Sequence, residues 1–260
     1  MNQPSQAPNV IQGHYYEKQI ACKSHAIAWC HASRFEKASK LIGKKRIQRL
    51  LDYGCGDGTM LMMIADRADE CWGADIEDYQ LADCRKRLNS LSNTRFCNVS
   101  ELRGSDFKES FDLVLCMETL EHCLDEIASR VLDDLAFLCR PDGRVIISVP
   151  IETGPTFLLK KSIRTLAAWR GLSDYRYYES YSFRNALRMM FASTETALER
   201  PAYGPLGSQH HSHYGFNWKQ MRQKVGKVFE IERTNFSPLA SLAGFVSSQA
   251  WFICRPKIQK

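Results

Sequence analysis

The sequence predicts an α/β protein built on a doubly wound, mostly parallel sheet. Two observations carry that expectation. From about residue 47 to 150, short apolar runs of strand length alternate with helix-length segments, and the first run passes into a glycine-rich turn. The run Phe111–Met117 is apolar apart from Asp112, as suits a strand buried on both faces.

The elements follow in order. Residues 1–13 are polar and Pro-bearing and read as a frayed tail. From about Tyr16 to Ile42 the apolar positions Ile20, Ile27, Ala28, Phe35, Ala38 and Leu41 recur at helical spacing. Gly43-Lys44-Lys45-Arg46 ends that helical region, and Ile47 to Tyr53 reads as the first strand. A helix carrying Met60, Leu61, Met63 and Ile64 comes after the glycine turn. Cys71 to Ile76 is a second strand, and Tyr79 to Leu91 a helix with a basic face of Arg85, Lys86 and Arg87. Arg95 to Val99 and Phe111 to Met117 are the third and fourth strands, followed by a helix from Leu124 to Cys139. Arg140-Pro141-Asp142-Gly143 signals a turn into a fifth strand, Arg144 to Val149, closed by Pro150.

Residues 151–225 break this rhythm. They hold a basic apolar segment, a Tyr-rich stretch (Tyr175, Tyr177, Tyr178, Tyr181), a helix opened by Ser182 and a Gly/His loop at 204–215. Val228 to Asn235 and Ser247 to Cys254 read as two final strands. The expected organisation is therefore a tail and helices over 1–46, a cofactor-binding core over 47–150, a lid over 151–225, and closing strands of the same sheet over 226–260.

Composition bounds the function. The 260 residues are 44% hydrophobic and 25% charged, ordinary for a globular chain. A net charge of +6 is compatible with an anionic substrate, a lipid headgroup surface or RNA, and demands none of them. Ten cysteines without a Cys-x-x-Cys pair, several within apolar runs, read as reduced thiols of a cytoplasmic protein rather than a disulfide scaffold. The first eight residues lack the basic and apolar regions of a signal peptide, and no stretch reaches membrane-span length.

The turn Asp52-Tyr53-Gly54-Cys55-Gly56-Asp57-Gly58 carries the chemistry. Its glycines alone would serve NAD, FAD or S-adenosylmethionine (SAM). Its acids discriminate. A dinucleotide site presents amides and a helix N-terminus to a pyrophosphate, and Asp52 and Asp57 would repel one. SAM has no phosphate, and its sulfonium and ammonium turn the same carboxylates into an asset. The spacing is also GxGxG rather than GxGxxG. Asp75, at the end of the next strand, is placed to accept hydrogen bonds from ribose hydroxyls, with Ile76 flanking the adenine; its alternative use is a helix cap.

Four segments then resemble the class I SAM-dependent methyltransferases, in particular the ubiquinone/menaquinone-biosynthesis branch. They are Leu50–Gly58, Gly73–Ile76, Phe111–His122 and Leu138–Pro150, in the family's order. The resemblance implies a Rossmann-like, seven-stranded sheet with an antiparallel final strand. It implies a SAM site made of Asp52, Gly54, Cys55, Gly56, Gly58, Asp75 and Ile76, with Met117 and Glu118 at the methionine end. Where the family often has an Asp facing the adenine amino group this chain has Asn98, whose carbonyl can accept the same bond beside the Val99 amide.

The acceptor is less legible. The implied reaction moves a methyl group to a small-molecule, lipid-linked or saccharide acceptor, on oxygen, nitrogen or carbon. A base would serve such an acceptor, and His122 and His213 are the candidates; their alternatives are a helix-pinning histidine and a solvated loop. No metal is expected, because no carboxylate or Cys stands at ligand spacing near His210, His211 and His213. The basic segment Phe157–Arg170 reads as a lid helix with its lysines in water, or as a peripheral contact with an anionic membrane. A nucleic-acid acceptor is not expected, since no RNA-binding module accompanies the Tyr-rich stretch. A non-catalytic SAM-binding module and an NAD(P)-linked oxidoreductase stand as alternatives.

Overall fold

Period-two burial organises the molecule. In a computed structural model that describes residues 13, 25–157, 160, 182–205, 209–238 and 247–257, nine strands form. They are β1 (Ile47–Tyr53), β2 (Ala68–Asp75), β3 (Thr94–Asn98), β4 (Phe111–Met117), β5 (Cys139–Pro150), β6 (Ala202–Tyr203), β7 (His210–His211), β8 (Phe229–Ser237) and β9 (Gln249–Pro256). Seven of these make one sheet in the order β3-β2-β1-β4-β5-β9-β8, while β6 and β7 pair separately. Strands β1 to β5 run parallel, and β9 is antiparallel to both its neighbours.

Successive residues of the central strands feed opposite faces. Leu51, Val114, Cys116, Val145, Ile147 and Phe252 pack into one core, and Leu50, Leu113, Leu115, Ile146 and Trp251 into the other. Helices α1 (His25–Ile42), α2 (Thr59–Ile64) and α3 (Asp78–Arg87) cover the second face through Ala38, Ile42, Leu61, Ile64 and Leu81. Helix α4 (Asp125–Leu138) covers the first through Ala128, Val131, Leu132, Leu135 and Leu138, a spacing that keeps one stripe inward. Helices α5 (Phe183–Met190) and α6 (Trp218–Val228) follow in the chain. Ser182 caps α5, its hydroxyl accepting from the Asn185 amide at 3.2 Å.

The strand order reverses between β1 and β4, and loops at the carboxyl ends of those strands form the crevice where α/β sheets bind ligands. Several boundaries differ from the sequence expectation for physical reasons. β2 begins at Ala68 because Ala68 and Glu70 pair with Ile47 and Arg49, and the Arg49–Glu70 ion pair (2.8 Å) hides its strand character behind charge. The turn 140–143 is a bulge inside β5: Phe111 pairs with Cys139 and Leu113 with Arg144. Arg87 does not belong to a solvated basic face. It is buried, donating through Nη2 to the Asp57 carbonyl at 2.5 Å.

The Tyr-rich stretch, the polar tail apart from Gly13, and most of the 157–170 segment lie outside the described residues. Lys160 lies within them. Rather than standing in water, its Nζ donates to the buried Glu152 carboxylate at 2.9 Å. Among the described residues no helix is long and apolar enough to cross a membrane. Nine described cysteines are free thiols, seven of them buried.

Candidate active site

The β1–α2 turn is shaped by its glycines and tied to β2. Gly54 (φ 78) and Gly58 (φ 72) occupy the left-handed region. A Cβ on Gly54 would also collide with Thr119 Oγ1, and one on Gly58 would come within 2.8 Å of Leu88. The Gly54 and Cys55 amides both donate to the Ala74 carbonyl, at 2.7 and 3.0 Å. The Gly56 amide donates to Asp75 Oδ2 at 2.9 Å, and Asp75 Oδ1 accepts from the Glu77 amide at 3.1 Å. Asp75 is therefore a brace for the loop as well as a half-buried carboxylate at the end of β2. Cys55 is buried, and a hydrogen bond with Cys84, then burial, pushes its thiol well above the ordinary range.

The two loop acids have different surroundings. Asp57 Oδ1 accepts from the Thr59 amide (3.1 Å) and hydroxyl (2.7 Å), so Asp57 secures the start of α2. Asp52 is 2% exposed, and burial, then Asp75 and Asp57, pushes its carboxyl up to about 7. The like-charged cluster is thus relieved either by protonation or by a cation. Ile76, by contrast, is 70% exposed at the tip of β2.

Asn98 sits at the end of β3, but its side chain is engaged. Its Oδ1 accepts from the Ser100 amide (3.1 Å) and hydroxyl (2.8 Å), and its Nδ2 donates to Asp78 Oδ1 at 2.9 Å. Asn98 also closes a capping box, its amide donating to Glu101 Oε1 at 2.7 Å, so its carbonyl is already engaged in holding the β3 turn. Val99 opens the short 3₁₀ helix Val99–Arg103 beside it.

The tip of β4 carries the densest chemistry. Met117 ends the strand, its carbonyl accepting from the Thr119 hydroxyl at 3.1 Å. Glu118 follows with φ 51, a strained backbone for a non-glycine residue. Its amide donates to the Ser148 carbonyl (3.0 Å), and its carboxylate meets Arg34 Nη1 of α1 at 3.0 Å. Glu121 is fully buried, and neither of its carboxylate oxygens has a hydrogen-bond partner among the described residues. Burial, then Glu118, pushes its carboxyl well above the usual range.

The two histidines come together here. His122 Nδ1 lies 3.0 Å from the His211 carbonyl, and the His211 amide donates back to the His122 carbonyl at 2.9 Å. This reciprocal pair carries the 210–213 loop across to β4. It puts the His122 and His213 ring centroids 5.0 Å apart. Each Nε2 stands 3.9 Å from Glu121 Oε1, and His213 Nδ1 is 3.5 Å from Glu152 Oε1. Burial, then His213, lowers the His122 pKa, so its ring favours the neutral form.

Residues 24–194, well over half of the chain, match the family model described as a methyltransferase domain. The chain belongs to this family. A ubiquinone biosynthesis O-methyltransferase of Pseudomonas fluorescens is 30% identical over 188 residues, covering 70% of this chain and 78% of the relative. One of the same name from Aeromonas salmonicida is 34% identical over 128 residues, 48% of this chain and 50% of that one. The chain thus spans about half the length of several curated relatives it matches. The crystal structure of a protein from Pyrococcus horikoshii OT3 shares the fold, with TM-score 0.59 and 16% identity over 95% of this chain and 100% of that one. Together the matched domain and relatives are those of class I SAM-dependent methyltransferases of the ubiquinone-biosynthesis branch.

Four polar residues around the site carry little or no local signal in the sequence. Arg34 comes from a helix read only for its apolar side, and Glu152 and Lys160 carry no local signal. Glu121 had one, since its position directly before His122 and three after Glu118 already grouped three ionisable side chains.

Proposed function

We propose that this methyltransferase moves the methyl group of SAM to a hydroxyl oxygen of a small-molecule acceptor. The observation that carries the reading is the union of an acidic, glycine-turned cofactor loop with an imidazole–carboxylate cluster, joined where Gly54 packs on Thr119. Asp75 retains lone pairs for the ribose diol. Ile76 offers the adenine an apolar face, and the Val99 amide its hydrogen bond. The backbone of Gly54, Cys55, Gly56 and Gly58 allows close approach of the nucleoside, while Asp52, with Met117 and Glu118, faces the methionine end. Positioning does most of the work, because SAM arrives activated. The S–CH3 bond breaks with its electron pair left on sulfur, an O–CH3 bond forms, and the hydroxyl proton is lost within the Glu121–His122–His213 cluster.

The name shared by the curated relatives supports oxygen as the accepting atom. Its test is incubation with methyl-labelled SAM and a panel of small hydroxylated and aminated acceptors, read by mass spectrometry. Label in hydroxyl acceptors only is the expected result. SAM binding without any transfer would make the chain a non-catalytic SAM-binding module instead.

A further inference from the structure

The cofactor loop is fastened by a residue far from it in the chain. Gly13 stands 44 residues before Asp57, yet it is buried against it. A Cβ added there would lie 2.1 Å from Asp57 Oδ2, 2.7 Å from Asp57 Cγ and 3.1 Å from Arg87 Nη2. The first two separations are far inside van der Waals contact, so only a glycine fits against this carboxylate. Asp57 cannot swing aside without loss, because its Oδ1 accepts from the Thr59 amide at 3.1 Å and hydroxyl at 2.7 Å.

Arg87 makes the other wall of this seat. It is 8% exposed and ties the loop to α3, its Nη2 donating to the Asp57 carbonyl and its Nε to Asp83 Oδ2, both at 2.5 Å. Burying a guanidinium is costly unless it is paired, and here part of the pairing is with the loop backbone. The side chain and the carbonyl of Asp57 are thus both held. Asp57 lies between Gly56 (φ 52) and Gly58 (φ 72), the left-handed glycines on which close approach of the nucleoside depends. A second attachment stands further along the same end of the chain, where Arg34 of α1 meets Glu118 at 3.0 Å. Gly13 and Arg34 therefore engage the loops after β1 and β4, the two strands between which the order of the sheet reverses.

We propose that Gly13 is a positioning residue for SAM, a latch that docks on Asp57 and Arg87 and holds the cofactor loop in the conformation that receives the nucleoside. The inference rests on the reading of this loop as the SAM site. Gly13 touches no reacting atom and acts through the Asp57 side chain. Coupling between two sites is reciprocal, so the factor by which the latch tightens SAM is the factor by which SAM tightens the latch. SAM therefore binds more weakly when the latch is broken, and its binding slows amide exchange around residue 13.

The test is calorimetric titration of the full chain with SAM, for the parent, Gly13→Ala, Asp57→Ala and the double variant. Gly13→Ala must break either the latch or the bonds from Asp57 to Thr59, so SAM affinity should fall about tenfold, the worth of one hydrogen bond to a charged group. Gly13 lies outside the helices and strands, so this variant should keep the parent's far-ultraviolet spectrum. Asp57→Ala removes the two atoms nearest the new Cβ, so the double variant should bind SAM no more weakly than Asp57→Ala alone. In the parent, saturating SAM should slow hydrogen exchange in the peptide that contains Gly13, and in Gly13→Ala that slowing should be lost. Unchanged SAM affinity in Gly13→Ala, losses that add in the double variant, or exchange at Gly13 indifferent to SAM would overturn the latch. A parent that binds no SAM would overturn the reading of the loop itself.

Discussion

Asp52→Asn is the most informative single substitution. The carboxylate is 2% exposed, and burial, then Asp75 and Asp57, raises its pKa from 3.8 to about 7. A raised carboxylate pKa means that folding takes up a proton. Its contribution to stability is full below the ordinary carboxylate range and is lost as pH rises through about 7. The shift amounts to roughly 4 kcal/mol at alkaline pH, so the Asn variant should melt higher than the parent at pH 8. Cofactor binding runs in the opposite direction. A sulfonium and an ammonium favour the ionised form, which only about one free molecule in ten holds at pH 6 and about three in four at pH 7.5. SAM affinity should therefore rise about eightfold between those values, with release of ~0.9 proton per binding event at pH 6. Calorimetry in two buffers of different ionisation enthalpy counts that proton. Asp52→Asn should bind more weakly at pH 7.5 and lose the slope. A flat parent profile, or an equal slope in the variant, would refute the assignment of this carboxylate to the cation.

Three further outcomes follow from the same geometry. Gly54→Ala places a Cβ against Thr119 at a left-handed φ of 78, costing about 1–2 kcal/mol from backbone strain alone, and should abolish SAM binding by calorimetry. Arg34→Met removes the cation beside Glu118 and buried Glu121 and leaves Glu118 its Ser148 hydroxyl bond, and chemical denaturation should report a loss of about 3 kcal/mol. Ile76→Ser should leave stability within about 0.5 kcal/mol, since the side chain is 70% exposed, yet weaken SAM by about 1–2 kcal/mol.

The sheet was largely legible because its signals are local. Apolar runs bounded by turn residues marked β1 and β4 to the residue, and the glycine loop announced the crossover that follows β1. Boundaries slipped where charge covers a strand, as at Asp69 and Glu70, or where a turn is absorbed as a bulge, as at 140–143. The cofactor loop was legible for a related reason, since glycines that must adopt left-handed backbone leave a fixed spacing. Its two acids are not equivalent. Asp57 is tied to the Thr59 amide and hydroxyl at the start of α2, whereas Asp52 is buried beside the loop.

The acceptor side was the least legible. His122 adjoins Glu121 in the chain, but His213 and Glu152 reach that pair from elsewhere. Glu121 looks in sequence like part of a helix entrance, and Glu152 stands 61 residues before His213. Their meeting depends on the paired backbone bonds between His122 and His211, which no spacing rule anticipates.

Cofactor identity is the claim on which the rest depends, and titration calorimetry tests it most directly. The account predicts one-to-one binding of SAM, at least tenfold weaker in Asp75→Ala, with no measurable binding of NADH. Tight NADH binding together with none of SAM would contradict it.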